Sequence, residues 1–292
     1  MGHSHLSRLA LRRRLIAGAL GVAVACLAPI SSGLARPLDK VRETGVLRVA
    51  VYQDYKPYSW RENGRAVGID VEIADALAKS VGVRLDLFEL SAGDDIGDDL
   101  RNGVWRGSVL GESPGDVMLH VPYDHLLEKQ NDRIALFGPY HVDGMAMIVD
   151  PAKAASALDL SLFEHEKVAV AVGTIGDMVM ISTHDYAYRN NVVHERDLER
   201  AAGDFEKGAT SAFYGEASAS HAFARAGERP FAIVYPKTGL AADWAIGMAV
   251  KGDSRDLGSY LEVALNKLTD SGEVQKIFAK YGVDWRKPDA TK

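Results

Sequence analysis

The sequence predicts an α/β protein of two doubly wound lobes joined by two crossing hinge strands, and three observations carry that expectation. Short β-branched runs alternate with amphipathic helical stretches, the pattern of parallel strands covered by helices. The alternation pauses after Pro139-Tyr140 and restarts near Lys167, which describes two units. An apolar run from Trp244 to Val250 then offers a route back to the first unit.

The first strand is Val46-Leu47-Arg48-Val49-Ala50-Val51. A turn through Lys56-Pro57 follows, then Gly68 and a helix from about Asp70 to Ser80. Val71, Ala74, Leu77, Ala78 and Val81 recur at spacings of three and four and make one buried stripe, and Gly82 suits the C-cap. Arg84 to Leu90 is the second strand. A polar stretch from Gly93 to Arg101 leads into a helix ending near Trp105, and Asp116 to His120 is the third strand. Met145 to Val149 crosses into the second lobe. There, strands at Lys167–Val172, near Val192, at Ser211–Tyr214 and at Phe231–Val234 alternate with helices at Gly176–Tyr186, Asp197–Lys207 and Glu216–Ala226. Trp244 to Val250 returns, and helices at about Asp256–Thr269 and Gly272–Tyr281 close the first lobe. The expected organisation is a leader at 1–35, lobe one at 36–143 with 243–292, and lobe two at 144–242.

Arg8, Arg12, Arg13 and Arg14 precede an apolar run from Leu15 to about Ile30 and small residues ending in Ala35, the order of a secretory signal peptide. A cut after Ala35 is expected, with export through that peptide. The run is short for a membrane span of ~20 residues and contains Gly18, Gly21 and Pro29. Two variants stay open: an acylated Cys26 and a loose twin-arginine signal. Cys26 is the sole cysteine, so a chain starting at Arg36 has no disulfide, thiolate metal site or cysteine nucleophile. That chain carries 30 basic and 40 acidic residues, a net charge of -10 against -6 for the full sequence. Such a balance excludes nucleic acid as a partner, because phosphates demand a basic surface.

Three segments resemble the family 3 extracellular solute-binding proteins, the polar amino-acid receptors of ABC importers. They are Gly45–Val51 with Tyr55-Lys56-Pro57-Tyr58-Ser59-Trp60 and Gly68–Ala74; Val172-Gly173-Thr174-Ile175-Gly176-Asp177; and Leu265–Ile277 with Tyr281-Gly282. The resemblance implies a periplasmic binding protein-like fold of type II, a small-molecule ligand held between the lobes, an ABC permease as partner, a monomer, no cofactor and no catalysis. Tyr55, Tyr58 and Trp60 follow the first strand, at the carboxyl edge where open α/β sheets bind ligands, and aromatic faces there can stack on a cation or apolar body. Packing within the lobe is the alternative reading for them. Gly173 and Thr174 open a helix whose free amides can cradle an anion, unless Asp177 is only a favourable first-turn charge.

Departures from the family matter as much. Its receptors follow the third strand with a Thr-rich turn and an arginine for the ligand carboxylate, whereas this chain has His120-Val121-Pro122-Tyr123-Asp124-His125 and no arginine until Arg133. A lost bidentate guanidinium argues against an ordinary α-amino acid. His120, Pro122 and Tyr123 are therefore expected on the ligand wall, with Tyr214 and Glu216 opposite; Glu216 stands where the family holds an ammonium group. The segment Asp116–Pro122 with Gly138-Pro139-Tyr140 also resembles the binding-protein-like component that accompanies PQQ-dependent methanol and alcohol dehydrogenases, which implies a periplasmic quinoprotein dehydrogenase as the alternative partner.

Other constellations read as ordinary surface or core. His120, His125 and His141 with Asp116 and Asp124 are the best metal candidates, but the spacing does not put the rings on one helical face, so no metal is expected. Asp94, Asp95, Asp98 and Asp99 lack the alternation of a calcium loop and fit a helix start. No serine lies in a nucleophile elbow. Glu216 beside Tyr214 is the one acid/base pair worth following, because some relatives of this superfamily are dehydratases.

Overall fold

The computed structural model describes residues 36–93, 95–108, 111–238 and 243–289. The expected leader with Cys26, and Asp94, lie outside the described residues. Helix α1 (Leu38–Thr44) leads into β1 (Val46–Tyr52), a hairpin of β2 (Trp60–Glu62) and β3 (Arg65–Val67), α2 (Ile69–Val81) and β4 (Arg84–Leu90). Next come α3 (Ile96–Leu100), which runs on as a π-helical turn to Trp105, then β5 (Val117–Pro122), α4 (His125–Gln130) and the 16-residue β6 (Ile134–Val149). The rest is α5 (Ala154–Ala157), β7 (Val168–Ala171), α6 (Ile175–Ser182), β8 (Val192–Glu195), α7 (Leu198–Glu206), β9 (Ala212–Glu216), α8 (Ala217–Ala226), β10 (Ala232–Val234), β11 (Asp243–Lys251), α9 (Arg255–Asp270) and α10 (Glu273–Lys280).

The strands hydrogen-bond in the order β4-β1-β5-β11-β6-β9-β7-β8, with β10 also on β6. β1 pairs in parallel with β4 and β5, and β7 in parallel with β8 and β9. β6 joins the two sheet halves. Residues 134–144 pair antiparallel with β11, and residues 145–149 pair with β9. This is the expected α/β architecture, with β6 far longer than the expected Met145–Val149. Gly138-Pro139 hid its first part, because proline cannot donate to a ladder. The register with β11 shifts between Ile246 and Met248, opposite that dipeptide, so no donor is required of Pro139.

Each half is covered on both faces, as parallel sheets must be. In the first, Val49, Val51, Leu77, Leu261 and Phe278 form one core, while Ala50, Phe88, Met118 and Val104 form another. In the second, Met147, Val170, Phe163 and Tyr214 pack on one side, and Ile148, Phe205 and Phe213 on the other. Most of the stripe read for α2 holds: Ala74, Leu77, Ala78 and Val81 are buried, Val71 is only half-buried, Ile69 and Ile73 take its side of the core, and Gly82 caps the helix at φ 81°. Each large apolar side chain contributes about 1.5–3 kcal/mol by leaving water.

Asp95 caps α3 by accepting from the Asp98 N–H at 2.9 Å, the helix-start role expected of that acidic stretch. Helix α6 stops at Ser182, short of the expected Tyr186. Ser182 and Thr183 hydroxyls bond back to the Met178 and Val179 carbonyls, and His184, Asp185 and Tyr186 take positive φ. Arg36 fastens the chain start: its guanidinium grips the buried Asp116 carboxylate at 2.9 and 2.7 Å and reaches the Val46 carbonyl at 2.9 Å. No helix among the described residues is long and apolar enough to cross a membrane.

Candidate functional site

Strand β1 ends in Tyr52, and the loop beyond it carries Gln53, Asp54 and Tyr55. Backbone bonds between Tyr55 and Ser59, at 2.6 and 2.8 Å, fold this loop back, and the Tyr55 ring stacks on Tyr58 at 5.4 Å between centroids. Facing it is Glu216, where β9 gives way to α8. Glu216 has φ -56° and ψ 135° and spends no side-chain bond on capping α8. Its carboxylate Oε2 instead accepts from Tyr55 Oη at 2.7 Å, across 161 residues of chain. Lys56 Nζ reaches Glu199 of α7 at 2.9 and 3.0 Å beside it.

Behind these groups lies a layer of tyrosines on carboxylates. Tyr58 Oη donates to Asp143 and Tyr140 Oη to Asp70, each at 2.7 Å and fully buried. Tyr52 Oη donates to Asp99 at 2.7 Å. Asp143 also accepts the backbone N–H of Gly144 and of Ser218, in the first turn of α8, which ties that helix to β6. Burial, and then the facing carboxylates, hold all these phenols well above their ordinary pKa. Glu216 is also raised, first by burial and then by Asp143, against the opposing pull of the Tyr55 hydrogen bond and His120.

His120 sits inside this layer. Its ring meets Tyr58 at 4.1 Å and Tyr55 at 4.8 Å, and its Nδ1 stands 3.2 Å from Asp70 Oδ2. Its φ of 60° is a conformation a side chain takes only under constraint, and its N–H donates to Tyr140 Oη at 3.1 Å. His141 is elsewhere: its Nδ1 accepts from the Arg286 N–H at 3.3 Å, so Nε2 carries the proton and donates to Ser218 Oγ at 3.0 Å. A histidine in that tautomer cannot deprotonate the serine. His125 is exposed. The three histidines have separate partners, and among the described residues no group of three or more His, Cys, Asp or Glu side chains gathers as for a metal ion.

Two cavities, of about 590 and 690 Å³, share Asp54, Tyr55, Ile175 and Glu216 as walls. His120 and Pro122 line the first, and Trp60 and Thr174 the second. So six of the ten expected site residues lie on cavity walls: Tyr55, Trp60, His120, Pro122, Thr174 and Glu216. Four do not. Tyr58 is fully buried on Asp143, and Tyr214 is buried in the second half's core. Tyr123 packs over Gly247, and Gly173 is exposed outside both cavities. Tyr52, Asp54, Ile175 and Trp244 are wall residues that sequence reasoning missed; Tyr52-Gln53-Asp54, immediately before the aromatic loop, was the available signal.

The anion cradle expected at the start of α6 is already filled. Asp177 Oδ2 takes the Gly173 N–H at 2.8 Å, and Thr174 Oγ1 donates to the Ala171 carbonyl at 2.7 Å while accepting the Asp177 N–H at 3.3 Å. Asp177 is thus more than a first-turn charge: its carboxylate accepts the Gly173 N–H that was expected to face a ligand.

Residues 47–105 match the profile of the bacterial extracellular solute-binding proteins, family 3. A 110-residue stretch is 47% identical to cyclohexadienyl dehydratase of Pseudomonas aeruginosa, covering 35% of this chain and 41% of that protein. Another of 169 residues is 24% identical to the L-cystine-binding protein TcyJ of Escherichia coli, covering 56% and 58%. These matches span about half the length of the curated relatives. Among solved structures, an ancestral cationic amino acid solute-binding protein superposes with a TM-score of 0.68 at 20% identity, over 84% of this chain and 99% of that one. A Streptococcus pneumoniae amino acid ABC transporter substrate-binding protein bound to L-arginine gives 0.61 at 19% identity, over 85% and 99%. A substrate-binding domain of Lactococcus lactis GlnP, in its open conformation, gives 0.62 at 20% identity, over 85% and 98%. None of these five proteins is a quinoprotein component. The segment that resembles the family 3 extracellular solute-binding proteins thus runs from β1 through α2 to the end of the π-helical turn, and the fold along the described chain is the one shared with these solved amino-acid-binding structures.

Proposed function

We propose that this chain binds a small solute between two lobes, 36–143 with 243–292 and 144–242, and presents it outside the cytoplasm to an ABC permease without transforming it. The observation that carries this reading is the Tyr55–Glu216 hydrogen bond. It joins the carboxyl edge of one sheet half to the start of α8 in the other, with a cavity on either side. Ligands of open α/β sheets bind at that edge, and closure of two bodies about a hinge is a standard way to trap them. The solute differs from an ordinary α-amino acid. Among the described residues, neither cavity wall offers a free guanidinium: Arg61 is paired with Glu89 and Arg196 with Asp197.

Native mass spectrometry of protein purified from the cell envelope should reveal a co-purifying small molecule, and Glu216→Ala should weaken its binding in a protein that still folds. Equal affinity in calorimetry would remove Glu216 from the site. One observation favours a second reading. The stretch 47% identical to a dehydratase, together with a glutamate whose carboxyl is raised by burial, suits acid-assisted elimination. Steady release of an aromatic product from a cyclohexadienyl acid would replace binding by catalysis.

A further inference from the structure

We propose that the first cavity takes an organic cation, an amine or quaternary ammonium on an apolar body, and rejects molecules that carry a carboxylate. This rests on the solute-binding reading and names its ligand class. The argument begins with donors. A carboxylate needs N–H or O–H groups, and the tyrosine hydroxyls around the cavity are already committed, which leaves it the uncharged side chains of Gln53 and Trp244. Tyr52 donates to Asp99, Tyr55 to Glu216, and behind them Tyr58 to Asp143 and Tyr140 to Asp70. The Thr174 hydroxyl and the Gly173 amide are held by the chain itself. Among the described residues that line the cavity there is no lysine or arginine, while Asp54 and Glu216 both stand on its wall.

What the cavity offers instead is acceptors and rings. A carboxylate has about four lone-pair sites, so Glu216 can keep the Tyr55 proton and accept a second donor. With their hydroxyls turned onto acids, Tyr52 and Tyr55 bring aromatic rings to the wall, and Trp244 adds a third. A cation within ~6 Å of such faces gains about 0.5–2 kcal/mol, more as water leaves. Ile96, Pro122, Ile175 and Ile246 supply apolar area for the body that bears the charge. The field agrees: Asp70 and Asp143 are wholly buried behind the wall, and His120 is the titratable base beside them.

Proton linkage follows. Burial and Asp143 raise Glu216, so an incoming positive charge stabilises its ionised form and expels a proton. Facing it are Tyr55, Asp143 and His120, with Asp54 on the same cavity wall. Affinity for a cation should therefore rise with pH through the Glu216 titration.

The test uses 2-phenylethylamine, benzyltrimethylammonium and phenylalanine, which share a ring and differ in charge, titrated calorimetrically into the full chain after denaturation and refolding to strip bound solute. The expected result is an affinity at least tenfold higher for the two cations than for phenylalanine, a tenfold loss with Glu216→Gln, and proton release in buffers of different ionisation enthalpy. If Glu216→Gln does not fold, the pH dependence of the unsubstituted protein gives the same answer. Phenylalanine binding as tightly as the cations would overturn the ligand class and leave solute binding standing. If no probe binds and no solute co-purifies, both fail.

Discussion

Replacing Tyr58 by phenylalanine removes one oxygen and leaves a ring of the same outline in a space with no solvent access. The lost group is the donor to Asp143 Oδ2 at 2.7 Å, while Oδ1 keeps the N–H groups of Gly144 and Ser218. A hydrogen bond to a charged group contributes about 1.5–3 kcal/mol, and the two surviving donors put this loss near 2 kcal/mol. For a domain of this size each kcal/mol shifts the midpoint by about 2–4 °C, so a fall of roughly 4–8 °C is expected. Circular-dichroism melts of the two proteins at pH 7 measure it, alongside calorimetry with the solute that co-purifies. Affinity should stay within about threefold, because the Tyr58 hydroxyl faces an acid and lines neither cavity. A melt unchanged within about 1 °C, or an intact melt with lost affinity, would refute the reasoning and return Tyr58 to the ligand wall.

Gly68 has φ 132°, and a Cβ there would stand 2.2 Å from the Tyr58 carbonyl oxygen, so Gly68→Ala should cost at least ~3 kcal/mol or abolish soluble expression. A variant with near-normal urea unfolding would contradict that geometry. His141 is pulled down to about 4 by burial, against an ordinary value of 6.5. Between these values the unfolded chain holds the extra proton, so stability falls as pH drops from 6.5 to 4, by about 3 kcal/mol from this group. Urea titrations at several pH values should show a shallower slope in His141→Asn; an unchanged slope assigns the acid sensitivity to other groups. Glu216 has the opposite sign. Raised in the folded state, it costs stability as pH climbs above its unfolded value, and Glu216→Gln should melt higher than the unsubstituted protein at pH 8.

The amphipathic helices and short strands were legible because their periods are local. Helix α2 ends at Gly82, as read, and α9 and α10 lie within a residue of the expected bounds. The first part of β6 was not, since a Gly-Pro pair breaks strands unless a register shift excuses it, and that shift is set by β11 about a hundred residues later. The site divides the same way. Glu216 and Tyr55 stand at strand ends, which topology marks. Asp70 and Asp143 find their tyrosines across 70 and 85 residues, beyond any spacing rule, so the acid layer behind the cavity left no trace in the pattern. Tyr214 misled for a related reason: two residues before Glu216 on β9, it belongs to the sheet interior.

Arg36 is the residue that a cut after Ala35 would leave first, and its backbone nitrogen stands 3.2 Å from Asp116. A free amine there would add a second positive charge to the grip on that acid. Trimming one residue further would strand a carboxylate that is 2% exposed, with only the Arg48 N–H to answer it. A folded chain that lacks Arg36 should therefore melt earlier than one that keeps it.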